Sequence, residues 1–278
     1  MTTSRFTHIV LTRFNVRAEF TTGSPPDARW LAHRFRLFDQ FAFPSMKHQR
    51  AQNFVWLVFL DAETPEMHRQ WMAQYALDLP QLQPVYVGQL ALGTAVTATT
   101  LQQTITSLLT PENSHLITTR FDNDDAVSDQ FLAIIQAQFT GQPYDIINFP
   151  DGFLWRQHRL YTKRNLANPF VSMIETTENF QTIWCKGHHL LKQDPAFRQV
   201  EAGPLWMQVI HGRNVLNRVR DGNIRLPLSA LPASFHLNIP LHPEREHSWE
   251  IALENRLKAA KRRLRWHWQQ RRKQFKGR

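Results

Sequence analysis

The sequence has little of what would place it outside the cell or across a membrane. Its 278 residues contain a single cysteine, Cys185, which excludes an internal disulfide framework and a cysteine-based zinc cluster. No apolar run approaches the roughly 18–20 residues of a transmembrane helix, and the first residues lack the apolar stretch of a signal peptide. We therefore expect a cytoplasmic protein, either soluble or peripheral at the inner face of the membrane.

Acidic residues are scarce at the C-terminal end. Positions 251–278 hold eleven Lys or Arg and one acidic residue, Glu254, whereas positions 1–250 hold 22 basic and 22 acidic residues. The net charge of +10 thus belongs to the tail. Leu264, Trp266 and Trp268 alternate with basic residues, which is typical of a helix on an anionic membrane surface. Nucleic acid is the less favoured partner, and a solvated helix without a partner is the third interpretation.

The first half of the chain alternates between two kinds of segment. Apolar, strand-like segments occur at 7–14, 54–60, 82–87 and 116–119, and helix-like segments occur at 27–38, from 64 onward, at 95–109 and at 129–139. This alternation predicts an α/β fold with a doubly wound, Rossmann-type sheet. Since 42% of the residues are hydrophobic, the chain can bury a substantial core.

The second half is less regular. Segments 144–149 and 153–161 are predicted to form two strands of a hairpin, joined at Pro150-Asp151-Gly152. Segment 206–211 is predicted as a further strand. We expect one domain over 1–217, a linker over 218–249 and a basic amphipathic helix over 250–278.

Four consecutive polar residues follow the apolar segment 116–119. They are Asp122, Asn123, Asp124 and Asp125. Three carboxylates in four residues repel one another unless a positive group lies among them, and Mg²⁺ or Mn²⁺ on a diphosphate is a common form of that group. Ligands of α/β sheets also bind at the carboxyl ends of strands. The alternative is an ordinary acidic turn in which Asp125 or Ser128 caps the next helix.

Six segments, taken in order, resemble a known family. They are Thr-Arg-Phe at 12–14, Pro-Ser-Met-Lys-His-Gln at 44–49, Phe-Val-Trp-Leu-Val-Phe-Leu-Asp at 54–61, Thr-Arg-Phe-Asp-Asn-Asp-Asp-Ala at 119–126, Thr-Ile-Trp-Cys-Lys-Gly-His-His at 182–189 and Met-Gln-Val-Ile-His-Gly-Arg-Asn at 207–214. The sequence resembles the bacterial rhamnosyltransferase family and, more broadly, the nucleotide-sugar glycosyltransferases of the GT-A fold. The resemblance covers roughly residues 5–217.

The resemblance implies a GT-A-like mixed sheet flanked by helices, with a nucleotide-sugar-binding half at 1–140 and an acceptor-side half at 141–217. It implies a glycosyltransferase that moves a sugar, rhamnose by the family's name, from a nucleoside diphosphate sugar to a glycan or lipid-linked acceptor, with inversion. Mn²⁺ or Mg²⁺ would be bound by Asp122, Asp124 and His211, and Asp61 would contact the nucleobase or ribose. No residue specifies the sugar.

The remaining candidates come from single residues. An inverting transferase needs a base for the acceptor hydroxyl, and Glu175 and Asp151 are our candidates, with Glu178 and Glu201 as alternatives. Arg13 ends the first strand, where it would bind a phosphate or form a surface ion pair. His188 and His189 are further candidates for the diphosphate or acceptor. Three tryptophans either stack on a sugar or pack in the core, namely Trp155, Trp184 and Trp206.

Two other functional classes fit part of the pattern. A non-catalytic binding protein would combine a degenerate site with a functional basic tail. A metal-dependent phosphohydrolase would also use an Asp-x-Asp-Asp sequence, although such enzymes usually add further His and Asp ligand pairs that this sequence lacks. We favour the glycosyltransferase.

Overall fold

The structure, a computed structural model, describes residues 6–16, 27–88, 95–211 and 218–276, without the side chains of 95–98 and 270–276. Its strands are β1 (Phe6–Arg13), β2 (Val55–Asp61), β3 (Leu82–Val87), β4 (His115–Arg120), β5 (Ala126–Val127), β6 (Tyr144–Asn148), β7 (Asp151–Arg156), β8 (Arg159–Arg164), β9 (Val171–Thr176), β10 (Phe197–Gln199), β11 (Trp206–Val209) and β12 (Arg225–Leu226). Its α-helices are α1 (Ala28–Leu37), α2 (Phe43–Lys47), α3 (Glu66–Asp78), α4 (Ala95–Thr106), α5 (Phe131–Gln136), α6 (His188–Leu191) and α7 (Ser248–Lys276).

The larger sheet has seven strands in the order β10-β6-β9-β4-β1-β2-β3. Strands β4, β1, β2 and β3 are parallel to one another, whereas β9 runs antiparallel to both of its neighbours. The four parallel strands are the ones that the alternating pattern predicts, and β3 has the predicted bounds. The predicted α/β class, with a mixed sheet flanked by helices, is confirmed.

Both faces of the larger sheet are covered. On β1, Val10 packs into one apolar cluster with Trp56 and Phe38, while Ile9 and Leu11 pack into a second cluster on the opposite face. Because successive side chains of a strand point to opposite faces, a strand buried on both sides needs an unbroken apolar run. This explains why β1 and β2 could be recognised in the sequence.

The smaller sheet has five strands in the order β12-β8-β7-β11-β5. The predicted hairpin at Pro150-Asp151-Gly152 is wrong, because β6 belongs to the larger sheet and β7 to the smaller one. The hairpin joins β7 to β8 instead, and its turn residues Gln157 and His158 have φ angles of 49° and 57°. Gly152 has a packing role, since a Cβ atom there would lie 2.3 Å from the Trp206 ring.

The segment 218–249, predicted as a linker, packs against the body of the protein. Strand β12 extends the smaller sheet, and Leu228 and Phe235 are buried in an apolar cluster beside Phe153. Helix α7 follows at Ser248, close to the predicted start of the basic helix. Among the described residues, no helix combines the length and apolar character needed to cross a bilayer.

Candidate active site

The acidic loop passes from the larger sheet to the smaller one. It leaves β4 at Arg120 and enters β5 at Ala126. The Asn123 side chain donates a hydrogen bond to the Phe14 carbonyl oxygen (2.8 Å), and the Asp125 carboxylate accepts one from the Val209 backbone N–H (2.8 Å). These two buried side chains therefore fix the loop to β1 on one side and to β11 on the other.

Asp124 lies in a cluster with two basic side chains. Its Oδ2 atom accepts hydrogen bonds from Arg34 Nη1 at 2.9 Å and from His211 Nε2 at 2.8 Å. A second imidazole follows, since His33 Nε2 lies 3.4 Å from His211 Nδ1. Burial alone would raise the pKa of Asp124, but the hydrogen bond from His211 and the charge of Arg34 outweigh burial and lower it. Asp124 is thus held as a carboxylate.

The pKa of Asp125 moves the other way. Its carboxyl group is buried, and burial together with the charges of Asp124 and Asp122 raises its pKa well above the usual value. A protonated carboxyl group can still accept the hydrogen bond from Val209. In this loop, Asp124 is charged, whereas the carboxyl group of Asp125 has a structural role. Asp125 does not cap the next helix, because that helix begins only at Phe131.

Asp122 faces a separate group of basic side chains, which we call the arginine cluster: Arg13, Arg120 and His188. Arg120 Nη2 lies 3.5 Å from Asp122, and Arg120 Nη1 lies 3.2 Å from His188 Nδ1. Burial and the Arg120 charge lower the pKa values of both Arg13 and His188, that of His188 to about 4. One carboxylate thus faces two guanidinium groups, and this leaves an excess of positive charge at this edge of the sheet.

The arginine cluster retains unused hydrogen-bonding capacity. Arg120 Nε and Trp184 Nε1 are buried without a hydrogen-bond partner, and the Arg13 guanidinium lies 5.8 Å from the centre of the Trp184 ring. A buried donor without a partner costs free energy unless a ligand or water satisfies it. The cluster therefore has the chemistry of an anion site, with guanidinium donors that suit phosphate oxygens.

Only part of the predicted metal site is brought together. Asp124 and His211 are in direct contact, whereas Asp122 turns toward Arg120. In the described part of the chain, no three His, Cys, Asp or Glu side chains form a group that could bind one ion. A carboxylate oxygen and an imidazole nitrogen are both ligands that Mn²⁺ accepts. The pair therefore fits a metal ion whose remaining coordination positions would be filled by substrate oxygens and water. Arg34 would have to move away from Asp124 Oδ2, the oxygen that it shares with His211.

The two candidate bases, Glu175 and Asp151, lie at the ends of their strands that are remote from Asp124 and His211. Glu175 pairs in register with Leu116, which precedes Asp122 by six residues, or roughly 20 Å of extended chain. Its two oxygens accept hydrogen bonds from the Gln181 and Thr182 backbone N–H groups, each at 2.9 Å. Glu175 thus anchors a loop.

Asp151 begins β7, next to the Trp206 end of β11, whereas His211 follows the other end of that strand. Its carboxylate forms an ion pair with Arg164 at 2.6 Å, and Arg164 also binds the alternative candidate, Glu201. Neither carboxylate of this group can reach a reaction at Asp124, so the role of base is not assigned to Asp151.

Asp61 lies at the carboxyl end of β2, on the same edge of the sheet as Arg13. One of its carboxylate oxygens accepts a hydrogen bond from the Glu63 backbone N–H at 2.8 Å, and its own backbone N–H donates to Asn15 Oδ1 at 3.1 Å. The position agrees with the predicted contact to the nucleotide, which remains a prediction.

A cavity of about 680 Å³ opens beside His211. It lies between the start of the α1–α2 connection and the tip of the β7–β8 hairpin. Its apolar walls include Phe41, Trp155 and Ile210, and its polar lining includes Arg156, His158 and Arg218. None of the described residues that line it is a carboxylate. The chemistry of the cavity therefore suits an uncharged or anionic ligand with apolar parts.

Two basic residues of the site were not among the predicted ones, Arg34 and Arg120. A signal for Arg120 is present in the sequence, because β1 and β4 both end in Thr-Arg-Phe, at 12–14 and 119–121. The register pairs Arg120 with Leu11, so Arg120 and Arg13 lie on the same face of these parallel strands, two residues apart. Arg34 lies on helix α1, and no local pattern distinguishes it from the exposed Arg36.

A strand order of 3-2-1-4, with charged side chains where β1 and β4 end, defines a Rossmann-like ligand-binding α/β protein. Residues 7–223 match the family model described as "Putative rhamnosyl transferase", and the chain belongs to this glycosyltransferase family. No curated protein matches the sequence.

Several solved structures are similar. TarS of S. aureus has a TM-score of 0.42 and 10% identity, over 73% of this chain and 37% of the TarS chain. This chain thus spans well under half of TarS. S. aureus TarS 1–349 in complex with UDP-GlcNAc has a TM-score of 0.41 and 11% identity, over 78% of this chain and 62% of that one. A putative nucleotide-diphospho-sugar transferase from Desulfovibrio desulfuricans G20 has a TM-score of 0.35 and 7% identity, over 74% and 80%.

Proposed function

We propose that the protein is a metal-dependent glycosyltransferase that moves a sugar from a nucleoside diphosphate sugar to a glycan or lipid-linked acceptor, with inversion. The observation that carries this proposal is the meeting of the Asp124–His211 pair and the arginine cluster at the ends of β1 and β4. Within a glycosyltransferase family, that combination suits a donor whose diphosphate must be bound and neutralised. The family description makes dTDP-rhamnose the first donor to test.

The donor diphosphate would lie against Arg13 and Arg120. Guanidinium groups bind phosphate oxygens through paired hydrogen bonds, and Arg120 Nε is a donor that the described residues leave without a partner. Asp122 limits the excess positive charge and orients Arg120. Asp61, at the end of β2, would contact the ribose or nucleobase.

Asp124 and His211 would hold Mn²⁺ or Mg²⁺. When bound, the metal supplies positive charge that stabilises the diphosphate as a leaving group. The protein presents Asp124 on a loop that Asn123 and Asp125 fix to two different sheets, and it presents His211 directly after β11. Arg34 neutralises Asp124 in the absence of the metal.

The acceptor would enter the cavity beside His211. Its apolar walls, and a described lining without carboxylates, suit a glycan attached to a lipid phosphate better than a cationic acceptor. The acceptor hydroxyl must lose a proton as the new bond forms. Two imidazoles line this cavity, His158 and His211. Because His211 would hold the metal, we assign the proton to His158 and not to Asp151 or Glu175.

The test compares Asp124→Asn with Asp151→Asn by calorimetric titration of a panel of dTDP- and UDP-sugars in the presence of Mn²⁺. We expect Asp124→Asn to weaken metal-dependent donor binding by more than about 100-fold, since it removes a charged metal ligand. Asp151→Asn should bind donor and turn over as the unmodified protein does. Thermal unfolding of both variants would verify that the fold is intact.

Three results would contradict the proposal. Donor affinity that is unchanged in Asp124→Asn would remove Asp124 from the metal site. Failure of every sugar nucleotide to bind, with or without Mn²⁺, would favour a non-catalytic binding protein. Release of free sugar at the same rate with and without acceptor would favour a hydrolase.

A further inference from the structure

One side of helix α7 is attached to the body of the protein. Asn255 exchanges hydrogen bonds with the Arg225 backbone at 2.8 and 3.0 Å, and Glu254 forms an ion pair with the Arg225 side chain at 3.1 Å. Lys258 lies 4.1 Å from the centre of the Tyr161 ring. Arg265, two turns further along, reaches Asp221 at 2.8 Å. These contacts fix which side of the helix faces outward.

The opposite side carries a row of apolar side chains, which we call the outer stripe. Its members are Trp249, Leu253, Leu257, Leu264 and Trp268, and each is between 49% and 70% exposed. At about 100° per residue these five positions fall within an arc of roughly 100°. The residues that contact the body, including Glu254 and Lys258, lie on the other side of the helix. A stripe of this size is unusual on a surface that only water contacts.

Basic side chains border the outer stripe on both sides. Lys261 flanks one edge, and Arg256 and Arg263 flank the other; all three are exposed and make no ion pair with a described residue. The tail contains one acidic residue, Glu254, and it is already paired with Arg225 and Lys258. The outward side of α7 is therefore apolar at its centre and basic at its margins, apart from Glu250 in the first turn.

Helix α7 also contacts the hairpin that forms one wall of the cavity. Arg156, Gln157 and His158, at the tip of the β7–β8 hairpin, line the cavity. The following residue, Arg159, lies 3.7 Å from Glu254 on the body-facing side of α7. A surface that bound α7 from outside would thus lie within reach of this hairpin.

We propose that the outer stripe of α7 binds an anionic phospholipid surface. Leucine and tryptophan side chains would enter the headgroup region, and Lys261, Arg256 and Arg263 would contact lipid phosphates. Charge complementarity selects this partner. A second copy of the chain would bring two positive margins together, and nucleic acid would use the basic residues but not a continuous row of apolar ones. The proposal stands independently of the reaction proposed above.

The experiment measures sedimentation of the full-length protein with phosphatidylglycerol-containing vesicles and with pure phosphatidylcholine vesicles. The stripe variant is Leu257→Gln/Leu264→Gln/Trp268→Gln. The matched control is Met67→Gln/Leu77→Gln/Leu166→Gln, which changes three apolar side chains of similar exposure elsewhere on the surface. We expect the stripe variant to lower the partition coefficient on the order of a hundredfold, and the control to leave it unchanged.

A second variant separates charge from apolar contact. Lys261→Gln/Arg263→Gln should lower binding to the anionic vesicles by about tenfold and make it less sensitive to salt. Equal losses in the stripe variant and its control would overturn the proposal. Two other results would also overturn it. In the first, the unmodified protein is a dimer, and the stripe variant is a monomer that binds vesicles as before. In the second, the protein binds no vesicles but binds RNA tightly, and the stripe variant retains that RNA binding.

Discussion

Within the acidic loop, adjacent residues have different tasks. Asn123 and Asp125 bind backbone groups of two different sheets, whereas Asp122 and Asp124 face basic side chains. The sequence predicted the cluster of charge and its place at the end of a strand, because both follow from composition and local order. It could not predict which carboxylates face the site, since that depends on where β1 and β11 lie around the loop.

Arg34 offers a test at this scale. Its Nη1 atom lies 2.9 Å from the Asp124 oxygen that would bind the metal, so the two cations compete. We expect Arg34→Gln to tighten Mn²⁺ binding to the donor-free protein by at least about tenfold, because a positive charge is removed from a buried site. Titration with Mn²⁺ alone, by calorimetry or by electron paramagnetic resonance, measures the change.

Arg29→Gln is the matched control, since Arg29 is exposed on the same helix. It should leave Mn²⁺ affinity unaltered. If Arg34→Gln bound Mn²⁺ no more tightly than the unmodified protein, the competition would not exist, and Asp124 would have to be regarded as the partner of an arginine and not of a metal.

At the scale of elements, long apolar runs made β1 to β4 predictable, and the elements with mixed composition were not. The turn at Gln157 and His158 contains no glycine or proline, so local rules could not find it. The direction of β9 was also invisible, because this antiparallel strand is buried on both faces and has the apolar run that is typical of a parallel strand. That direction places Glu175 at the far end of the sheet from the acidic loop, and it is the reason this candidate base fails.

Strand β1 carries a buried histidine whose protonation should be measurable. His8 Nε2 donates to the Thr119 hydroxyl at 2.9 Å, and His8 Nδ1 accepts from the Gln136 side chain at 3.2 Å, an arrangement of the neutral ring. Burial lowers the pKa of His8 from 6.5 to about 3. Below pH 6.5 the unfolded chain binds a proton at His8 that the folded protein does not bind. The free energy of unfolding therefore decreases as the pH falls from 6.5 toward 3, and the stabilising contribution of His8 is present in full only above pH 6.5.

We expect His8→Gln to flatten the dependence of stability on pH. Between the unfolded and folded pKa values, the unmodified protein should lose up to about 1.4 kcal/mol per pH unit more than the variant does. Urea unfolding at several pH values below 6.5 measures the two slopes. Parallel slopes would mean that His8 is already protonated in the folded protein.

At the scale of the whole molecule, the C-terminal helix belongs in part to the fold. The sequence predicted a linker and a tail separate from the domain at 1–217, because charge and proline content change there. The structure instead buries Arg225, which is paired with Glu246 at 3.3 Å and with Glu254 at 3.1 Å. Arg225 lies in the segment 218–249 that was predicted as a linker, and Glu254 lies in α7. Their ion pair joins the two segments, and composition alone does not reveal such long-range pairing.

Two truncations should therefore differ. A chain that ends at Ala260 keeps Glu254, Asn255 and Lys258, whereas a chain that ends at Glu250 leaves Arg225 without one of its two carboxylate partners. Loss of a partner from a buried charge is costly. We expect the shorter chain to unfold at a temperature roughly 4–8 °C lower, and the longer one to unfold with the full-length protein. Differential scanning calorimetry measures both, and equal transition temperatures would contradict the role assigned to Glu254.

The acidic loop also limits how the two sheets can move against each other. Asn123 holds the loop to the end of β1 and Asp125 holds it to β11, so Asp124 lies between the two attachments. A large motion of one sheet against the other would strain the short segment between Asn123 and Asp125 or break one of the two hydrogen bonds. Engineering of access to Asp124 therefore belongs at peripheral segments and not at this junction of the sheets.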